Sequence, residues 1–328
     1  MSIIYLDQWI YVELLKTEKH LHSQYPRYAP IFTGLLETSR KKTNQFPFSV
    51  AHMYETMKRT ELNSRRELFR LIFKLSQFCT IRPWYQVVGL EVRNAILKSL
   101  GFQPIDLSDF VFGDEFAHCF GSKAVVTSNE ANKQVPQEIR DSVQSALKDP
   151  ELVSDLLSRD QDLDWVGRMA AEDEDLARTI EDLRKPEYRH PDKIMRKNMN
   201  EVACITKIIE PRFTRMFCEL KSDLQLDLDL EEYRHKVFSS KESAQTFLKS
   251  VPTAYVFCIL NDARDRNVSR PIEPNDLMDI GPLAIAIPYC DVVVTEREWS
   301  NILNERRVGE LYNTKITHKV EDLADFID

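Results

Sequence analysis

The chain has 328 residues, 43% of them apolar, and a net charge of −8. That length allows one or two domains with a substantial core. The apolar share excludes a disordered chain, and the acidic balance excludes a protein that coats nucleic acid by bulk charge, while leaving room for a local basic groove.

The six cysteines (Cys79, Cys119, Cys204, Cys218, Cys258 and Cys290) form no C-x-x-C pair and read as reduced thiols. No basic-then-apolar leader opens the chain, and no apolar stretch reaches the roughly 20 residues of a membrane span. A soluble, cytoplasmic protein with no membrane association is expected.

In chain order, "SIIYL" (2–6) is a strand candidate rich in β-branched residues and suited to burial on both faces. "FPFSV" (46–50) reads as a second strand, followed by the helix-like "AHMYETMKR". "RRELFRLIFKLSQF" (65–78) reads as a helix, and "YQVVGLEVRNAILKSL" (85–100) as an extended start that turns helical. From 138 to 185 long charged stretches carry apolar residues at helical spacing, and glycine is scarce, with 8 in all. "CDVVVT" (290–295) is the clearest buried strand, followed by a short strand at "TKI" (314–316) and a closing helix at 320–327. Strands near both ends with helices between predict an α/β parallel sheet closed by the two termini. The expected divisions are 1–104, a helical insertion over 105–265, and 266–328.

Functional groups gather at the carboxyl ends of strands in open α/β sheets. Asp7 ends the first strand, Glu296 follows "CDVVVT", and Glu55 lies one or two turns into the helix after "FPFSV". Asp276 and Asp279 are spaced i, i+3 and share a face if that segment is helical. Converging carboxylates repel and burial raises their pKa values. A divalent cation relieves that cost, and hard oxygen ligands select Mg²⁺ or Mn²⁺, which can activate water for phosphoryl chemistry.

The order strand–Asp7, Ser49 to Glu55, Asp279 on a late helix, and a strand ending in Thr295 plus an acid resembles the PIN-like nuclease superfamily, which includes toxin ribonucleases. "NDLMDIGPLAIAIPYCDVVVTE" carries the most specific part of the match. The resemblance covers 1–100 and 270–328 well and the helical middle poorly. It implies a PIN-like domain built from both ends of the chain and a metal-dependent endonuclease, with RNA favoured over DNA, in a toxin, defence or processing role. By position, Asp7, Glu55, Asp279 and Glu296 would be the catalytic, metal-holding acids, with Glu91, Asp276 and Glu298 as possible additional acids. The family's commonest pattern places Asp two residues after the Thr, and here that residue is Arg297. The Gly281-Pro282 pair suggests that the late helix starts near Asp279. If the strand ran straight on, Glu296 and Glu298 would point the same way about 7 Å apart, which favours Glu296 as the fourth acid.

Each acid also has a plain structural reading: Asp7 as a helix cap, Glu55 and Glu91 as solvated helix residues, Asp276 as a first-turn acid answering the helix dipole, and Asp291 as a strand-entrance residue. His52, one turn before Glu55, reads as a packed or solvated histidine. For substrate, "KRTELNSRRELFRLIFK" (58–74) offers Lys58, Arg59, Arg65, Arg66 and Arg70 as phosphate contacts. "RKPEYRHPDKIMRK" (184–197) adds basic residues and Tyr188 for stacking. Solvated charged faces are the alternative for both. An alternative function is a catalytically inactive PIN-like scaffold whose helical insertion binds a partner protein, which the irregular "VVTERE" favours.

Overall fold

The structure, a computed structural model, describes residues 1–21, 23–122, 135–159, 164–185, 192–267 and 271–327. The chain folds into two compact units. The first comprises Met1–Arg82, Val111–Met169 and Tyr289–Asp328; the second comprises Pro83–Phe110 and Ala170–Pro288.

The first unit holds a parallel sheet. Strand β1 (Ser2–Leu6) pairs on one side with β2 (Asn44–Gln45). On its other side it pairs with Val292–Val294, and that strand pairs in turn with Lys315–Thr317. Ile4, Tyr5 and Leu6 lie opposite Val292, Val293 and Val294, and all six are buried. Burial of successive residues means that both sheet faces are covered, which is why these runs lack polar alternation. Asp291 guards the strand entrance, accepting the Ile3 N–H at 2.7 Å.

The strand expected at "FPFSV" forms two residues earlier. Pro47 has no N–H for the ladder. Phe48 instead donates its N–H to the Cys79 carbonyl at 3.0 Å and accepts the Ile81 N–H at 2.9 Å. This ties it to β3 (Thr80–Ile81), which pairs antiparallel with β4 (Phe112–Gly113). With Val292–Val294 as β5 and Lys315–Thr317 as β6, the parallel order is β2-β1-β5-β6. The closing helix is 3-10 over Val320–Phe326.

Helices α1 (Gln8–Glu18), α2 (Tyr25–Arg40), α3 (Val50–Met57) and α4 (Leu62–Ser76) follow from the amino-terminal segment. The segment expected to start extended is helical throughout, as α5 (Trp84–Ser99), with Pro83 at its N-cap. Val88, Val92 and Ile96 of α5 join Phe213, Phe217, Phe247 and Leu248 in the second unit's core.

The late helix also begins earlier than expected. It runs Pro274–Tyr289, with Pro282 and Pro288 inside it. An interior proline costs about 3 kcal/mol. Ile280, Leu283, Ile285 and Ile287 are all at most 1% exposed, and burying each such side chain contributes about 1.5–3 kcal/mol, so packing outweighs the lost bond. Gly281 is required by close approach: a Cβ there would lie 2.8 Å from Trp84 Cδ1.

The units do not follow the expected boundaries at 104 and 265. α5 is recruited into the second unit's core, while the segment from Val111 returns to the first unit. There the helix Pro150–Arg159 packs on α4, with Arg66 Nε 3.6 Å from Asp155 Oδ1. The stretch read as helical from 138 to 185 contains helices Gln137–Ala146, Pro150–Arg159 and Asp164–Leu183. Among the described residues no helix is long and apolar enough to cross a membrane.

Candidate functional site

The chain leaves β1 toward β2 on one side and β5 toward β6 on the other, so strand order reverses between β1 and β5. Such a reversal opens a crevice at the carboxyl ends of the two strands. Asp7 follows β1 directly, and Thr295 and Glu296 follow β5. The Asp7 N–H extends the ladder to Val294 O at 2.9 Å.

Two donors hold the Asp7 carboxylate. Oδ1 accepts the Gln8 N–H at 2.7 Å, and Oδ2 accepts the Thr295 hydroxyl at 2.9 Å. The helix-cap reading of Asp7 is therefore realised, and it leaves the carboxylate anchored at the crevice. Burial pushes the carboxyl up to about 6 against these bonds, with the Glu296 charge adding to the rise.

Glu55 lies on α3, half-buried. Its carboxyl is pushed up to about 8, first by burial and then by the Asp7 charge. Glu296 adds to that rise, while Lys58 and Arg59 oppose it. Asp7, Glu55 and Glu296 thus share one electrostatic neighbourhood, with two cations beside it.

Two braces tie α3 to β1 and α1. His52 is 1% exposed and uses both ring nitrogens. Nδ1 accepts the Ser49 N–H at 2.9 Å, so Nε2 carries the proton and donates to Leu6 O at 2.8 Å. Burial lowers its pKa to about 4, so the ring is neutral at pH 7. Tyr5 and Tyr11 each pack on it with ring centroids 5.3 Å away. The second brace is Gln8 Nε2, which donates to Thr56 Oγ1 at 2.9 Å. The braced residues adjoin Asp7 (Leu6, Gln8) and Glu55 (Thr56), so they set the spacing of the two acids. A capping pattern over Ser49 to His52 is the local sequence signal for the first brace, and the second, between residues 48 positions apart, has none.

The chain enters a helix at Arg297, with Glu296 at its N-cap and Glu298 in its first turn. The straight strand continuation expected beyond Thr295 does not occur, and Glu296 and Glu298 are not strand neighbours. Glu91 is not a rim residue. It sits inside α5, 2% exposed, and accepts the Thr253 N–H and hydroxyl at 2.9 and 2.6 Å. It thereby caps the helix Pro252–Arg266, whose own N-cap, Val251, has no capping side chain. Asp276 accepts the Glu273 N–H at 2.9 Å in the first turn of its helix, as the structural reading had it. Asp279 is half-buried on the same helix and belongs to the second unit.

The basic strip is largely engaged. Arg65 is 7% exposed, Arg66 faces Asp155, and Arg70 Nη2 lies 2.6 Å from Glu18 Oε2. Lys58 and Arg59 remain beside the acids, Lys58 with its ammonium 4.2 Å from the Tyr54 ring centroid and Arg59 donating to Ser64 Oγ at 3.0 Å. Tyr188 lies outside the described residues.

The donor set of carboxylates and a threonine hydroxyl suits a hard divalent cation in kind and charge. Among the described residues, however, no three His, Cys, Asp or Glu side chains close on one point as metal ligands. No protein-family model, no curated protein and no solved structure matches the chain.

Proposed function

We propose that this chain is a Mg²⁺- or Mn²⁺-dependent nuclease that hydrolyses phosphodiester bonds, with RNA favoured over DNA. The observation that carries the reading is the bond from Thr295 to Asp7 at the strand-order reversal, next to Glu296 and beside a Glu55 whose carboxyl is pushed up first by burial and then by the charges of both acids. An acidic crevice of this kind disfavours its own full ionisation, so a bound cation is its natural complement.

In this reading Asp7, Glu55 and Glu296 hold the cation. When bound, it supplies charge neutralisation at the phosphate and a lowered pKa for water. The Thr295 hydroxyl and the Gln8 N–H keep Asp7 oriented, and the His52 and Gln8 braces keep α3 in register with it. Lys58 and Arg59 meet the phosphate charge. Asp7→Asn tests the reading: cleavage of a labelled single-stranded RNA with Mn²⁺ is expected to disappear while the fold is retained. Cleavage that survives EDTA, or an active Asp7→Asn, rejects it.

A second reading, a catalytically inactive scaffold with a protein partner, is favoured by the acids not closing on one point and by Arg297 at the family's acidic position. It predicts no saturable Mn²⁺ binding at millimolar concentrations.

A further inference from the structure

The second unit contains a cavity of about 730 Å³, within the range of about 300–1,000 Å³ typical of small-molecule sites. Its walls come from the last turn of α5, the helix Leu230–Phe238, and the helix Lys241–Lys249. Val237 and Phe247, 8% and 6% exposed, supply an apolar floor. Lys98, Lys236 and Lys249 stand on the walls, each in the last turn of a different helix.

A lysine in a last turn answers the helix dipole, and singly each needs no further account. Together they open on one cavity, and among the described residues none of the three is ion-paired. Among the described residues Glu242 is the one acid lining the cavity, so this lining carries a net +2, three lysines against one glutamate. The hydroxyl protons are already committed: Ser99 donates to Ile96 O at 2.8 Å and accepts from Tyr233, Ser243 donates to Ser240 O at 3.0 Å and accepts from the Ser240 hydroxyl, Thr246 donates to Glu242 O at 2.8 Å, and Ser250 donates to Phe247 O at 2.6 Å. The free donors are therefore three ammonium groups, which bind as point charges and suit phosphate oxygens.

We infer that this cavity binds a small phosphomonoester with an apolar body, its phosphate on Lys98, Lys236 and Lys249 and its body over Val237 and Phe247. A phosphomonoester carries about −1.5 to −2 at neutral pH, matching the lining. A nucleoside monophosphate and an alkyl phosphate share this chemistry, and the test separates them.

The full chain is titrated by calorimetry with adenosine 5′-monophosphate, octyl phosphate, inorganic phosphate and adenosine. At least one organic phosphate is expected to bind with a Kd below about 1 mM, with inorganic phosphate and adenosine at least about tenfold weaker. The tighter organic phosphate identifies the class of body. Lys236→Ala combined with Lys249→Ala is expected to lose about tenfold or more in affinity, while Lys241→Ala, on the same helix but not on the wall, leaves it unchanged. The inference is overturned if neither organic phosphate saturates by about 10 mM, if inorganic phosphate binds as tightly as both, or if the double variant binds as well as the parent.

Discussion

Replacing Glu55 with Gln removes an ionisable group from the acidic crevice while keeping its size. The native carboxyl is pushed up from 4.5 to about 8. At pH 7 the folded chain therefore keeps the proton that the unfolded chain releases. Stability arising from this group is complete below 4.5 and declines as pH rises toward 8. Over the interval from 4.5 to 7 the linkage amounts to roughly 3 kcal/mol against folding for a fully buried group. Glu55 is only half-buried, and solvent screening reduces the figure to about 1–2 kcal/mol. Glu55→Gln is thus expected to be more stable than the parent by about 1–2 kcal/mol at pH 7, and by nothing near pH 4. Urea unfolding in EDTA across that range measures the difference. A variant less stable at pH 7, or a gain that does not change with pH, contradicts the placement of Glu55 beside Asp7 and Glu296. In Mn²⁺ the order is expected to reverse, because the parent gains a ligand that the variant cannot hold.

His52→Gln loses the bonds to Ser49 and Leu6 and is expected to be less stable than the parent at pH 7 by about 1–3 kcal/mol. Because burial depresses His52 to about 4, the parent itself loses stability as pH falls from 6.5 toward 4, so the gap measured by urea unfolding should narrow on acidification; a constant gap argues against a buried neutral ring. Glu296→Gln is expected to weaken cleavage at low Mn²⁺ with partial rescue at high Mn²⁺, and Glu298→Gln to be nearly silent in the same assay. In RNA binding, Lys58→Ala and Arg59→Ala should each flatten the salt slope by about one, whereas Arg66→Ala and Arg70→Ala, already paired with Asp155 and Glu18, should leave it unchanged. Glu91→Gln strips a buried cap and should cost about 1–3 kcal/mol in thermal or urea unfolding, without altering metal binding.

What the sequence disclosed was local. "SIIYL" and the valines of "CDVVVT" are apolar on both faces, so burial as parallel strands was legible, and with it the acids at their ends. What it concealed depended on distant partners. Glu91 resembles an exposed helix residue until Thr253, 162 positions away, is seen to need a cap. The arginines of α4 fall at helical spacing, but Asp155 and Glu18, which engage two of them, are invisible to periodicity. "YQVVG" looks extended because valine favours strands, yet packing against Phe213 and Phe217 makes it helix, as tertiary contacts override weak propensities. Thr295 was legible as the end of a strand, but not as the hydroxyl that holds Asp7.

The pairing of β1 with β5 joins residues 288 positions apart, as the Asp7–Thr295 bond does. A ribosome adding about 5–20 residues per second needs roughly 15–60 s to deliver β5 after β1 has emerged. Throughout that interval β1 has β2 on one side and a bare hydrogen-bonding edge on the other, with Ile4, Tyr5 and Leu6 available to any other extended chain. Loop-closure entropy further slows the joining of such distant partners. Nascent chains of this protein should therefore depend on holding chaperones, and truncations before Val292 should aggregate rather than accumulate as folded fragments.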